Sequence, residues 1–476
     1  MTIPDAIPDK RYTMTISRLT VDKLGVKLYD RVSAVLAELV ANSYDADATT
    51  VTISAPMDEL LATKQQGQLI DKGFTIEIAD DGCGMTPNQV NEFYLRVGAE
   101  RRKDAKRGDR SARFHRKVMG RKGVGKLAPF GICQRIEMLT SGGEIVDGVD
   151  ATGSPARGYL TAHLFLDRLG ILEDTDYDYN PILGALDGTI RPSTGTSLKL
   201  TVFAHRSVPT IDDLERQLSQ RFGIASPDWS ITLHDALKTE NDPDYERIVG
   251  QFSVEQMPDT AIRFVAIPTT SGSEEYEALD HDDTPIAGVQ AGFAYEGEFY
   301  PVTGWIAYAK NPYRDDLMAG VRIYCRGKIA AQTSIFNRKA GFTGEHDIRS
   351  YLVGTLNADW LDDDEDLIQT DRRDILWSHE LGQAFEKWGQ TIVLRLGRTT
   401  RGAMKKKIWD LFLEASHIDE RIKEAFPIES QAPIREKAIE FARLVGGAMR
   451  PDEVQNVDQV ESVVQLSLSL APHVAG

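Results

Sequence analysis

The chain has 476 residues, 41% of them hydrophobic and 27% charged, and a formal net charge of −17, which fits a globular protein of two or three domains. The acidic balance excludes a coat of non-specific nucleic-acid contacts, because a negative field repels phosphates at long range. No apolar run reaches the roughly 18 to 20 residues that span a bilayer, the polar start with its two prolines is no secretory signal, and Cys83, Cys133 and Cys325 are too scattered for a disulfide framework or a zinc site, so a cytosolic protein with no membrane partner is expected.

In chain order, Leu28 to Ser43 reads as a helix with an apolar stripe of Val32, Val35, Leu36, Leu39 and Val40. Thr49 to Ser54 and Phe74 to Ala79 alternate like half-buried strands. Arg96 to Lys126 carries thirteen Lys/Arg against three Asp/Glu, so the acidic excess lies elsewhere, notably at Asp280–Asp283 and Asp362–Asp366. Gly120 to Gly131 is a glycine-punctuated loop leading into a helix, followed by a strand at Arg135 to Thr140. Another strand runs from Thr196 to Phe203, after the turn Pro192–Gly195. The cluster Pro209 to Asp213 suggests a boundary. Beyond it come a helix (Leu214 to Phe222), strands at Phe293–Tyr300, Gly304–Ala309 and Gly320–Cys325, and a long helix near Glu380 to Arg395. Strands followed by helices read as a separate α+β domain. Residues Arg401 to Gly476 look mainly helical, with breaks at Pro427, Pro433 and Pro451.

Four segments each supply part of a nucleotide site. On the predicted helix, Glu38 and Asn42 are four apart and share a face. A carboxylate there can act as general base on a water, and an amide oxygen one turn on can ligate Mg²⁺; a solvated helix face is the bland alternative. Asp80-Asp-Gly82-Cys-Gly84-Met85 follows a strand. Its carboxylate can accept a hydrogen bond from an adenine amino group, and its glycines allow close approach to a flat ring; a plain surface turn is the alternative. Gly120-Arg-Lys-Gly123-Val124-Gly125-Lys126 fits the spacing of a P-loop, but Leu127 stands where that motif needs Ser or Thr, and no hydrophobic strand leads into it. What remains is a glycine loop whose free backbone N–H groups favour phosphate, with Lys126 adding a charge. Gly195-Thr196 opens a strand, and the hydroxyl can hold the adenine or a bridging water.

The boxes ELVANSYDADAT (Glu38 to Thr49), ADDGCGM, GRKGVGK and GTSLKL stand in the order and rough spacing of the GHKL ATPases, the superfamily of gyrase, Hsp90, histidine kinases and MutL. The first box looks especially like MutL, and the MutL, MORC and Hsp90 branches are the nearest. The resemblance covers about the first 200 residues. It implies a Bergerat-type α/β sandwich that binds ATP with Mg²⁺, with Glu38 as catalytic base and Asn42 as Mg²⁺ ligand. It also implies Asp80 reading adenine, with Gly82, Gly84 and Met85 shaping its pocket. Gly120, Gly123, Val124, Gly125 and Lys126 would hold phosphates, and Thr196 would be the adenine-side hydroxyl. Histidine kinases usually replace the base, so Glu38 favours hydrolysis. The basic stretch Arg96 to Lys126 falls where such proteins keep a mobile lid, with a nucleic-acid contact as the competing reading.

The same resemblance implies an S5-like transducer domain that lends a cation to the γ-phosphate. The segment around Arg372-Arg373-Asp374 resembles the Hsp90 middle domain and makes Arg373 the first candidate, Arg372 the second, with Lys328 and Lys339 as rivals on the MutL pattern. The expected organisation is an ATP-binding domain over residues 1–207, the transducer over 208–398 and a helical region over 399–476. The resemblance implies an ATPase whose cycle closes the lid and clamps a nucleotide-dependent homodimer. Its output is open between DNA, in a MORC- or MutL-like restriction or defence role, a chaperone-like action on a partner protein, and nucleotide sensing with little turnover. The first is preferred for the likeness of the Glu38–Thr49 box.

Overall fold

The computed structural model describes residues 29, 31–99, 101–103, 107–120, 123–173, 178–224, 226–270, 272–313, 318–339, 349–363, 365–369, 372, 374–399, 401–449 and 451–475. The chain divides into two units. The first holds residues up to Phe252 together with Arg326–Lys328, and the second holds Ser253–Cys325 and Ile329–Gly476.

In the first unit, helix α1 (Val32–Asp45) buries Val32, Val35, Leu36, Leu39 and Val40, the stripe expected of a helix with one face on a core. It closes in a Schellman pattern, with Ala48 N donating to Ser43 O and Asp47 N to Tyr44 O, both at 3.1 Å. The left-handed position of that cap, usually glycine, is taken by Asp47 at φ 60°.

The strands that follow are β1 (Thr50–Ala55), β2 (Ile76–Asp80), β3 (Cys133–Val149), β4 (Pro155–Asp167), β5 (Gly195–Phe203), β6 (Ser230–Asp235) and β7 (Glu246–Ile248). They lie in the order β7-β6-β1-β2-β5-β3-β4, extended by Ile182–Leu183 and Ile190–Arg191, which both pair with β4. Only β6 runs parallel to β1 among these pairs; β2, β5, β3 and β4 are successively antiparallel. Strand β1 alternates buried and half-buried positions, because one sheet face packs on α1 and on helix α2 (Ile211–Arg221), itself capped by the Thr210 hydroxyl accepting from Asp213 N. The first unit therefore runs past residue 207, since α2, β6 and β7 add to the same sheet and core.

The second unit carries β8 (Ile262–Pro268), β9 (Glu274–Leu279), β10 (Pro285–Gln290), β11 (Thr303–Tyr308), β12 (Gly320–Cys325), β13 (Lys328–Thr333, all but its first residue) and β14 (Leu352–Asn357). Their order is β10-β9-β8-β11-β14-β12-β13, with β12 and β14 parallel. The sequence reading of one strand over Phe293–Tyr300 resolves into a hairpin, Gly292–Tyr295 against Glu298–Pro301, because Glu296 and Gly297 both take positive φ and make a two-residue turn. Phe385 and Trp388 on helix α3 (Glu380–Thr399) stack in an aromatic cluster with Phe336. Beyond α3, a separate helical core collects Trp409, Phe412, Ile418, Ala438 and Val464. The helical region also breaks at His417, which takes φ 46° between helices Arg401–Ser416 and Ile418–Ala425. Among the described residues, no helix is long and apolar enough to cross a membrane.

Candidate nucleotide site

The C-terminal end of β2 delivers Asp80 opposite Thr196 of β5. Asp80 Oδ2 accepts from the Ser43 hydroxyl at 2.8 Å, while Oδ1 accepts from Gly82 N at 3.0 Å and Thr196 N at 3.3 Å. Burial pushes the Asp80 carboxyl up from its ordinary value, and these three donors work against that push. Behind Asp80, the fully buried Thr140 of β3 lies 2.9 Å from the Thr196 hydroxyl and accepts from Met85 N at 3.0 Å. The loop between is packed against backbone. Gly84 has φ 57°, and a Cβ built on it would stand 1.9 Å from Ser141 O, so no side chain fits there. This arrangement offers a carboxylate with remaining lone pairs beside a hydroxyl pair, the pattern that an aromatic amine and its neighbouring ring nitrogen can satisfy.

The end of α1 holds the glycine loop and the basic segment before it through one carboxylate each. Asp45 accepts from Met119 N at 2.8 Å and Gly120 N at 2.9 Å. Its carboxyl is pushed up by burial, against the pull of Arg101, those two amides and Lys328. Asp47 accepts from Arg113 N at 2.6 Å and Phe114 N at 3.2 Å. The segment Gly125–Gly131 then turns as a 3₁₀ helix containing Pro129, which has no N–H to offer an α-helical ladder.

Glu38 meets two further groups. Lys328 Nζ donates to Glu38 Oε1 at 2.7 Å, and a Cβ on Gly125 would lie 2.9 Å from Glu38 Oε2. Lys328 follows Arg326 and Gly327, whose φ values of 54° and 78° make the tight turn that carries it. Asn42, one turn on from Glu38, is exposed. Among the described residues no group of three His, Cys, Asp or Glu side chains could hold a metal by itself. A Mg²⁺ commonly takes one or two protein oxygens and keeps the rest for water and phosphate, and the exposed Asn42 amide oxygen is chemically such a donor.

Residues 29–148 match the family model described as histidine kinase-, DNA gyrase B-, and HSP90-like ATPase. The chain carries a GHKL-type ATPase domain. It is also 26% identical over 371 residues to a protein of Herpetosiphon aurantiacus named "Putative type II restriction enzyme HgiDII", an alignment covering 77% of this chain and 52% of that relative. The chain thus spans about half the length of that curated relative.

Within this GHKL-type domain much of the basic stretch is structural. Arg101 donates to Asp45 O at 3.1 Å and Arg102 to Val118 O at 3.1 Å. Arg116 donates to Ala48 O at 2.6 Å and lies over the rings of Tyr44 and Phe114. Lys126 donates to Phe93 O at 2.7 Å and Arg96 O at 2.5 Å, so its ammonium ties the glycine loop to the segment before it. Gly123 has φ 65° and sits where a Cβ would meet Ala99 O at 2.4 Å. Val124 precedes the 3₁₀ turn and is half-buried.

Of the candidate second-domain cations among the described residues, Lys328 is the one placed at Glu38. Arg372 instead faces Asp362 at 3.9 Å and donates to Ile329 O at 3.4 Å within the second unit. Lys339 is exposed, and Arg373 lies outside the described residues. Sequence reasoning assigned no role to Ser43, Asp45, Asp47 or Thr140. The first three stand in the Asn42–Thr49 run, where two acids directly after a helix were the available signal. Thr140 had none, being one polar residue at the end of a predicted strand.

Proposed function

We propose that the chain is a Mg²⁺-dependent ATPase in which Glu38 activates the attacking water. The observation that carries this reading is the meeting of Glu38 with Lys328 and Gly125 at one point. A carboxylate at the glycine loop is placed to take a proton from water, and an ammonium beside it is placed to meet charge that grows on the terminal phosphate. Asp80 accepts from the adenine amino group, Gly82, Gly84 and Met85 form the floor beneath the ring, and Thr196 holds a bridging hydroxyl. The backbone of Gly120, Gly123, Val124 and Gly125 cradles phosphates, with Lys126 adding positive charge. Asn42 would hold Mg²⁺, which would supply charge neutralisation on the phosphates.

The second unit acts as an S5-like transducer, nucleotide closes the basic segment as a lid, and two subunits clamp in the ATP state. The output is DNA, in a restriction or defence role; the name of the Herpetosiphon aurantiacus relative supports this choice over a chaperone-like or purely sensing role. The test is Mg²⁺-dependent phosphate release measured alone, with long duplex DNA and with an unfolded protein. Turnover raised by DNA supports the reading in full. Turnover raised only by the protein moves the output to a chaperone-like role, and ATP binding with no turnover under any condition overturns the ATPase.

A further inference from the structure

We infer that the loop over residues 107–117 is a preformed contact for the phosphate backbone of nucleic acid, with Phe114 at its tip placed to stack on a base. In a chain of net charge −17, this segment holds Arg107, Arg110, Arg113, Arg116 and Lys117 against the single acid Asp109, and Asp109 itself faces Arg326 at 4.0 Å. Local cationic charge on an acidic protein focuses binding of a polyanion at one place, where phosphate contacts dominate affinity.

The loop is shaped before any partner arrives. Arg110 and Lys117 form a β-bridge, Ser111 N donates to Arg116 O at 2.9 Å, and Arg116 N donates to the Ser111 hydroxyl at 2.8 Å. His115 takes φ 53° to make the reversal, and Asp47 accepts the Arg113 and Phe114 amides. Backbone polarity is therefore spent inward, while Arg110, Arg113, Phe114, His115 and Lys117 are exposed. Preorganisation of this kind removes ordering cost from binding.

The aromatic at the tip adds a surface on which a base can stack to the surrounding cations. Phe114 is 36% exposed. The guanidiniums of Arg113 and Arg116 each lie 4.7 Å from its centroid. An exposed ring braced by cations is the element that stacks on an unpaired base while its neighbours grip phosphate.

This inference deepens the DNA-directed reading by naming the surface, and its failure is separable from that of the ATPase. The experiment is fluorescence anisotropy of a labelled duplex and a labelled single strand titrated with the full chain across a salt series. It is repeated with Arg110→Ala/Arg113→Ala/Lys117→Ala and with Phe114→Ala, each checked for folding by thermal melting, and phosphate release by the wild type is recorded on the same preparation. The triple variant is expected to lose at least about 10-fold in affinity and to reduce the salt slope by roughly 2 to 3, near 0.9 for each lost phosphate contact. Phe114→Ala is expected to weaken single-strand binding with the salt slope retained. A folded triple variant that binds both ligands as the wild type does would overturn the inference, as would a wild type that binds neither. Phosphate release in that same wild type would leave the ATPase standing.

Discussion

Lys328 Nζ lies 2.7 Å from Glu38 Oε1, and their side chains are only 4% and 15% exposed. A carboxylate held by a nearly buried ammonium is a poor base until that cation finds another anion. On the proposed reading a terminal phosphate at the glycine loop would be such an anion, and nucleotide entry would both recruit Lys328 and free Glu38. On this account Lys328→Met leaves ATP affinity within about 10-fold but cuts kcat by about 10² to 10³, the usual effect of removing one donor from developing charge. Steady-state kinetics beside nucleotide binding would check it. A rise in KM with kcat unchanged would place Lys328 in ground-state binding instead.

Gly84 stands where its backbone is left-handed and a Cβ would meet Ser141 O at 1.9 Å. Gly84→Ala is expected to cost about 2 to 3 kcal/mol, the scale of overpacking in a closed environment, and to abolish ATP binding because the Asp80 loop must shift. Gly73 shares a positive φ of 75° with nothing within 4 Å, so Gly73→Asn serves as the control and should keep both properties. Thermal melts and a nucleotide titration of the two variants decide it.

Lys126 supplies a pH signature. Burial first, and Arg107 second, push its ammonium down to about 8 from an ordinary value of 10.5. Between those pH values the unfolded chain holds a proton that the folded chain has released, so stability rises with pH across that window, and below it the buried ammonium carries a constant, pH-independent cost. Lys126→Met should therefore be relatively more stable near neutrality, with its advantage over wild type shrinking as pH climbs past about 8 toward 10. Melting curves at several pH values test this; a constant difference between the two proteins would contradict it.

Asp47 occupies a cap position that favours glycine and uses its carboxylate to accept two amides of the basic loop. Asp47→Gly relieves a left-handed strain of roughly 1 to 2 kcal/mol, yet strips partners from two amides at about 1 to 3 kcal/mol each where they stay shielded from water. The second effect is larger, so the loop over residues 107–117 should open. Limited trypsin cleavage within it should quicken while the rest of the first unit resists. Unchanged cleavage would show that the bridge Arg110–Lys117 holds the loop alone.

Much of the first unit was legible in the sequence because its signals are local. A 3.6-residue apolar stripe marks α1, period-two alternation marks β1 and β2, and glycines at Gly84 and Gly123 mark backbone that no side chain fits. The residues that buttress those motifs were not legible. Thr140 matters only because β3 and β5 bring it opposite Thr196, and such register comes from sheet pairing. Lys328 is a similar case: 290 residues separate it from Glu38, and nothing local distinguishes it from Lys339. Residues 211–248 looked like the start of another domain because Pro209 to Asp213 resembles a linker. The parallel pairing of β6 with β1 that joins them to the first sheet leaves no trace in composition.

The central claim is that Glu38 activates water in a Mg²⁺-dependent ATPase, and phosphate release by wild type and Glu38→Gln tests it most directly. Glutamine keeps the size of the side chain and removes its capacity to take a proton. The account predicts that the variant binds ATP about as well as wild type and loses turnover by at least about 10², the lower end expected for a general base. Turnover at the wild-type rate in Glu38→Gln would contradict it.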